Sequence, residues 1–110
     1  MAPSASLRRG QIWWARLPPP DKTRPVVLVS RGDAYKVREL FIVAPVTRLI
    51  RGIAAEVSVG EFEGLPAKSV VNCDSLRTAR RSMLAERIGE ASGPKLAELD
   101  RALKFALGLD

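Results

Sequence analysis

Two stretches of this chain are too apolar to face water: Pro25-Val26-Val27-Leu28-Val29 and Leu40-Phe41-Ile42-Val43-Ala44-Pro45-Val46-Thr47. Strands apolar on both faces belong in the middle of a sheet. This pair therefore constrains the fold more than any other feature. Pro25 has no N–H and suits only the first position of its strand. Arg24 precedes the first run and Thr47 ends the second. Polar side chains at strand ends are held by rigid neighbours, which is how a small β protein builds a site.

The surrounding segments read as further short strands. Residues 10–17, Gly10-Gln11-Ile12-Trp13-Trp14-Ala15-Arg16-Leu17, are dense in apolar and aromatic side chains, and Pro18-Pro19-Pro20 stops them. Trp13 and Trp14 alternate on this strand, so one ring is expected in the core and the other outward. Residues 18–23 form a short stiff connection because proline fixes φ. Gly32-Asp33 breaks the second strand. Residues 55–59 alternate as a fourth strand, and residues 68–73 form a fifth after Gly64-Leu65-Pro66. Residues 84–88 read as strand, while the arginine-rich piece before them reads as loop or strand. Ser92-Gly93-Pro94 signals a helix start, because Pro in a first turn lacks only an N–H without an intrahelical partner. Leu96, Leu99, Leu103 and Leu107 then recur at threes and fours as one apolar face for the sheet. Asp100 and Lys104, four apart, are expected to pair on the outer face, and Gly108 closes the helix. The expectation is mostly β, a small barrel with a C-terminal α-helix.

At 110 residues the chain suits one domain, and its size is marginal enough that oligomerisation would help it. No apolar run approaches the roughly 20 residues of a membrane span. Residues 1–6 lack the apolar stretch of a secretory signal. Cys73 is the sole cysteine, so no internal disulfide forms and a cytoplasmic location is the default expectation. Its apolar neighbours Val70 and Val71 point to an inert core thiol. The net charge of +6 is concentrated: residues 1–60 carry ten Lys/Arg against four Asp/Glu, and residues 61–110 carry eight of each. A basic half on so small a protein suggests a polyanion, nucleic acid above all.

The absence of histidine together with a single cysteine removes an ordinary zinc site, and the absence of histidine removes a histidine-based ribonuclease. No Gly-rich loop leads into Lys-Ser/Thr, which removes a nucleotide P-loop. Glu61 and Glu63, close together in a Gly-rich turn, flank Phe62 and read as solvated charge, so a metal-dependent nuclease is not indicated. RNA cleavage without metal or histidine remains chemically open. The RNA 2′-OH attacks the adjacent phosphorus, so the protein need only align the sugar-phosphate and stabilise charge on the phosphoryl oxygens. An arginine fork matches those oxygens, and a threonine hydroxyl donates one more hydrogen bond. Arg24 and Thr47 have the right types, although an arginine at a strand start is ordinarily surface charge.

Four segments in order resemble the MazF/PemK-type endoribonuclease toxins of bacterial toxin–antitoxin pairs: Arg9-Gly10-Gln11-Ile12-Trp13-Trp14; Arg24-Pro25-Val26-Val27-Leu28-Val29; Val43-Ala44-Pro45-Val46-Thr47; and Val70-Val71-Asn72-Cys73-Asp74-Ser75-Leu76-Arg77-Thr78 with Arg87-Ile88-Gly89 and the terminal helix. The resemblance covers nearly the whole chain from Arg9. It implies an SH3-like barrel over residues 9–110 behind a flexible segment at residues 1–8. It also implies a homodimer that binds single-stranded RNA along a groove at the dimer interface. By the same resemblance Arg24 and Thr47 are the catalytic pair, no cofactor or metal is used, and the products end in 2′,3′-cyclic phosphate and 5′-hydroxyl. Cleavage of this kind inhibits translation. A cognate antitoxin with an acidic tail is the implied inhibitor.

The connection at residues 18–23 departs from the family, whose loop is often longer and carries a Glu before Arg-Pro; Asp21 is the acid available to replace it. Gln11, Arg16, Ser75 and Arg80 stand where other residue types are usual. Lys22, Thr23, Arg31, Arg48 and Arg51 lie near the pair in sequence, and Arg77, Arg80 and Arg81 form a later basic cluster. For all eight, contact with RNA phosphates and a plain solvated surface role both stand open. Two rival functions remain: a gyrase-poisoning toxin of the CcdB type on the same fold, and a non-catalytic SH3-like nucleic-acid-binding module. The first works through a C-terminal Trp region, whereas both tryptophans here lie near the N-terminus.

Overall fold

The computed structural model describes residues 7–109. In chain order these form β1 (Gln11–Arg16), β2 (Thr23–Leu28), α1 (Ala34–Val37), β3 (Leu40–Thr47), β4 (Glu56–Val59), β5 (Ser69–Asn72), β6 (Arg77–Arg80), β7 (Leu84–Glu90) and α2 (Gly93–Leu107), with 3-10 turns at Glu61–Glu63 and Arg81–Met83. The strands pair antiparallel in the order β4-β5-β3-β2-β1-β7. The long strand β3 has β2 on one side and two partners on the other. Its first half, Leu40 to Val43, pairs with β6, and its last residues, Val46 and Thr47, pair with β5. The result is a mostly β half-barrel carrying a C-terminal helix.

Alternation explains why β2 and β3 are apolar on both faces. Val27, Ala44 and Val46 enter a core with Ile12, Val57, Val71 and the helix residues Leu99 and Ala102. Val26, Leu28, Phe41 and Val43 enter a second core with Ala15, Leu17, Tyr35, Ala79 and Leu84. The two central strands are thus a wall shared by two cores, and burying a Val or Leu on such a wall contributes about 1.5–3 kcal/mol.

Several expectations are revised. Residues 1–6 of the expected flexible segment lie outside the described residues. Leu7, however, is buried in the second core, and Arg8 binds Glu90 at 3.0 Å. The short helix α1, which buries Ala34 and Tyr35, had no periodic signal at four residues long. The arginine-rich piece forms β6 and a 3-10 turn. Asp100 pairs with Arg9 at 2.7 Å and not along the helix with Lys104. Arg9, whose Nε donates to Val29 O, is fixed over α2 and offers a preset partner. The leucine stripe is buried at Leu99, partly at Leu96 and Leu103, and has left the sheet by Leu107, which is 56% exposed. Trp13 and Trp14 are both half-buried; Trp13 packs on the second core and donates Nε1–H to Gln11 Oε1 at 3.0 Å. No described helix is long and apolar enough to cross a membrane.

Candidate active site

The register builds the site. Val26 pairs with Pro45 and Leu28 with Val43. Arg24 and Thr47 extend these two paired strands at the same end. Alternation then puts both side chains on the face that carries the second core. Arg77 opens β6 opposite Val43 and belongs to the same face. A strand start, a strand end and a third strand start therefore converge from three separated parts of the chain.

Asp21 ties the cluster together. Its Oδ2 accepts Arg77 Nε at 2.7 Å, and its Oδ1 lies 3.8 Å from Arg24 Nη2. The hydrogen bond from Arg77, with the positive charges of Arg77 and Arg24, outweighs desolvation and holds the Asp21 carboxyl below its ordinary value. Asp21 stays ionised at neutral pH. The stiff proline connection that carries Asp21 limits how far the carboxylate can retreat. Arg77 is anchored a second time, Nη1 donating to Ser75 O at 2.9 Å. Beneath it, the buried Asn72 accepts from Asp74 N–H at 3.0 Å and donates to Ser75 Oγ at 3.2 Å.

Arg24 is half-buried, its side chain 29% exposed. Its Nε–H is the buried side-chain donor that meets no acceptor among the described residues. Leaving a buried donor unmet costs about 1–3 kcal/mol, a cost that an oxygen-bearing ligand removes. Thr47 Oγ1 accepts Leu49 N–H at 3.1 Å. That bond occupies an oxygen lone pair and leaves the hydroxyl proton free to donate. The arrangement offers a guanidinium fork and a hydroxyl donor at one end of one sheet face, in electropositive surroundings that suit a phosphodiester.

The sequence candidates divide in space. Lys22 and Thr23 are exposed between Asp21 and Arg24; Arg48 and Arg51 are exposed on the loop after Thr47. Together with Arg77 these border the pair. Three candidates are not brought to it. Arg31 lies past the other end of β2, on the order of 20 Å from Arg24 at the rise of an extended chain, and pairs with Asp33 at 2.8 Å. Arg80 pairs with Leu40, at the opposite end of β3 from Thr47. Arg81 is a structural anchor: it donates to the backbone carbonyls of Tyr35 and Arg38 and lies 5.8 Å over the Phe41 ring. Sequence reasoning missed the brace between Asp21 and Arg77, 56 positions apart. It also missed Glu56, which accepts backbone N–H groups of the loop after Thr47. The Asn72-Cys73-Asp74 turn carried the one usable signal, an Asx pattern. Among the described residues no group of three or more His, Cys, Asp or Glu side chains is placed to hold a metal.

Comparison with known proteins identifies the family and the fold. Residues 8–107 match the family model described as the PemK-like, MazF-like toxin of type II toxin–antitoxin systems. The chain is 33% identical over 100 residues to a probable endoribonuclease MazF5 of Mycobacterium tuberculosis, covering 90% of this chain and 91% of that protein. It is 36% identical over 90 residues to the endoribonuclease MazF3 of the same species, covering 82% and 87%. Among solved structures, the Mycobacterium tuberculosis toxin MazF-mt6 superposes with a TM-score of 0.84 at 35% identity, covering 91% of this chain and 98% of that one. A mycobacterial endoribonuclease solved with its cognate antitoxin superposes with a TM-score of 0.85 at 25% identity, covering 96% and 98%. On the family match and on relatives above 30% identity across most of both chains, this chain belongs to the PemK-like, MazF-like toxin family of type II toxin–antitoxin systems.

Proposed function

We propose that this protein is an endoribonuclease toxin that cleaves single-stranded RNA without a metal ion, using Arg24 and Thr47. The observation that carries the reading is the half-buried Arg24, with an unmet Nε–H, at the same end of the paired strands β2 and β3 as Thr47. In the proposed reaction the 2′-oxygen bonds to phosphorus as the bond to the 5′-oxygen breaks. The 2′-hydroxyl gives up its proton and the departing 5′-oxygen gains one. The products are a 2′,3′-cyclic phosphate and a 5′-hydroxyl. Arg24 supplies charge-assisted hydrogen bonds to the phosphoryl oxygens as negative charge builds on them. A guanidinium carries five N–H donors and no acceptor, so Arg24 acts here as a donor of hydrogen bonds and not as a base. Thr47 donates to the same phosphate and orients it. Asp21 braces the two guanidiniums, and Lys22, Thr23, Arg48, Arg51 and Arg77 guide the flanking phosphates.

The endoribonuclease names of the relatives support this reading, and so does the neighbour solved with its cognate antitoxin. The same class of partner, with an acidic tail to satisfy the basic face, is proposed here, along with a homodimeric active form working in the cytoplasm. The test is a long single-stranded RNA incubated with the purified protein in excess EDTA, with product ends mapped. Discrete fragments bearing cyclic phosphate and 5′-hydroxyl are expected. Arg24→Ala should lose about 10²–10³-fold of the rate, the usual cost of removing such a donor. Intact RNA with folded wild-type protein would overturn the reading in favour of a non-catalytic binder or a gyrase poison. Unchanged cleavage in Arg24→Ala and Thr47→Ala would overturn the site.

A further inference from the structure

The loop between β3 and β4 begins at the proposed catalytic threonine and is built in an unusual way. Leu49, Ile50 and Ile53 are all exposed on it, interleaved with Arg48 and Arg51. A loose loop would fold such side chains inward. This one is held open by a carboxylate. Glu56 Oε1, at the start of β4, accepts Arg51 N–H at 3.0 Å and Gly52 N–H at 2.9 Å. Glu56 N–H in turn donates to Ile53 O at 3.0 Å, and Ala55 O accepts Cys73 N–H at 2.9 Å. Gly52 takes a positive φ of 73° to complete the clasp. Upstream, Leu49 N–H donates to Thr47 Oγ1 at 3.1 Å.

Glu56 and the Thr47 hydroxyl thus hold the two ends of one short span of loop, from Leu49 to Gly52. A carboxylate that accepts two backbone N–H groups makes strong charge-assisted bonds. Those bonds fix residues 51–53, and the short span back to Leu49 fixes its N–H. The Leu49 bond holds one rotamer of a β-branched side chain that is already stiff. With that lone pair used, the hydroxyl proton is presented away from the loop. Were the clasp absent, Leu49 N–H would turn to water and Thr47 would sample other rotamers.

We infer that Glu56 is a positioning residue for RNA cleavage, which it serves by clasping the loop that sets the Thr47 hydroxyl. The inference rests on the ribonuclease reading above, and the two fail separately. The experiment measures single-turnover cleavage with enzyme in excess, and RNA affinity, for Glu56→Ala and Glu56→Gln in wild-type and Thr47→Ala backgrounds. Glu56→Ala should slow cleavage about tenfold with the affinity nearly unchanged, as expected for misplacement of one reacting contact. Glu56→Gln, whose amide oxygen accepts both N–H groups, should restore most of the rate. In the Thr47→Ala background Glu56→Ala should cost less than about twofold, since the group it positions is gone. Amide exchange read by NMR should show Leu49 N–H losing protection in Glu56→Ala and regaining it in Glu56→Gln. Gly52→Val, which strains the positive-φ position and leaves the carboxylate in place, should reproduce the pattern should Glu56→Ala fold poorly. Equal losses in both backgrounds, a loss confined to affinity, or slow cleavage with Leu49 still protected would overturn the inference. Wild-type protein that leaves RNA intact would instead remove the ribonuclease reading itself.

Discussion

Arg77 and Arg81 lie one short strand apart and do different work. Arg77 keeps its guanidinium at the surface on Asp21, where an arriving phosphate can share it. Arg81 spends its donors on the carbonyls of Tyr35 and Arg38. Single-stranded RNA binding should therefore weaken with salt along a line that Arg77→Ala and Arg48→Ala each flatten by about 0.7 in log–log slope, one phosphate apiece. Arg81→Ala should leave that slope alone and lower unfolding stability by about 2 kcal/mol, through carbonyls stripped of a charged donor. Salt titrations by fluorescence anisotropy, beside urea melts, check both. Cys73 belongs to the same scale. Burial, helped by Asp74, pushes its thiol up to about 11. Its reaction with a disulfide reagent at pH 8 should be at least about 100-fold slower in the native protein than in the urea-unfolded chain, because only the thiolate attacks. The inert thiol was legible from its apolar neighbours. The roles of Arg77 and Arg81 were not, because an arginine's partner is chosen by the fold and not by adjacent sequence.

At the scale of elements, the legible strands were those whose burial writes a pattern. β2 and β3 bury side chains on both faces, the exposed Ile42 apart, and read as continuous apolar runs. β6 buries only Ala79, so Arg77–Arg80 carried no pattern to read. Helix α2 was announced by its caps: Ser92 Oγ accepts Lys95 N–H at 3.3 Å, and Gly108 closes it at a φ of 72°. A close crossing elsewhere left no periodic trace. The turn at Glu61–Glu63 lies against β7, where a Cβ added to Gly89 would stand 2.0 Å from Glu63 O and one added to Gly64 would stand 2.5 Å from Ile88 O. Backbone cannot yield there as a side-chain tip does. Gly89→Ala should destabilise by about 3 kcal/mol, the upper range of overpacking. Gly32→Ala, with nothing within 4 Å of the new methyl, should be close to neutral. Chemical denaturation of both variants makes the comparison.

For the molecule as a whole, two cores back to back on one wall make stability depend on groups far from the site. Tyr35 in the second core is pushed up to about 12 by burial, and Cys73 in the first to about 11 by the same cause. Both are neutral when protonated, so the folded state holds these protons after the unfolded chain has begun to release them. Their contribution is complete below about pH 9 and is lost as pH rises through the folded values. Urea midpoints measured at pH 7, 9 and 10.5 should fall across the upper interval, and less so in Tyr35→Phe. At this scale the architecture was legible because four segments in order resemble one family. The assembly of the site was legible only in part. Arg24 and Thr47 mark the ends of readable strands, whereas Asp21 and Glu56 act through backbone and long-range bonds that no local spacing records.

The Nε–H of Arg24 meets no acceptor among the described residues, so an oxygen-bearing occupant is expected to raise the stability of the native state. An occupant that supplies an oxygen there removes a standing cost and stabilises the native state in proportion to how fully it is bound. Melting temperature should climb with sulfate, with a non-cleavable RNA analogue or with an acidic peptide, and the climb should be much smaller in Arg24→Ala. An idle molecule is then the one that opens most often and reaches a protease first. A molecule whose Arg24 is engaged outlasts it, so occupancy of this one donor sets how long the chain survives.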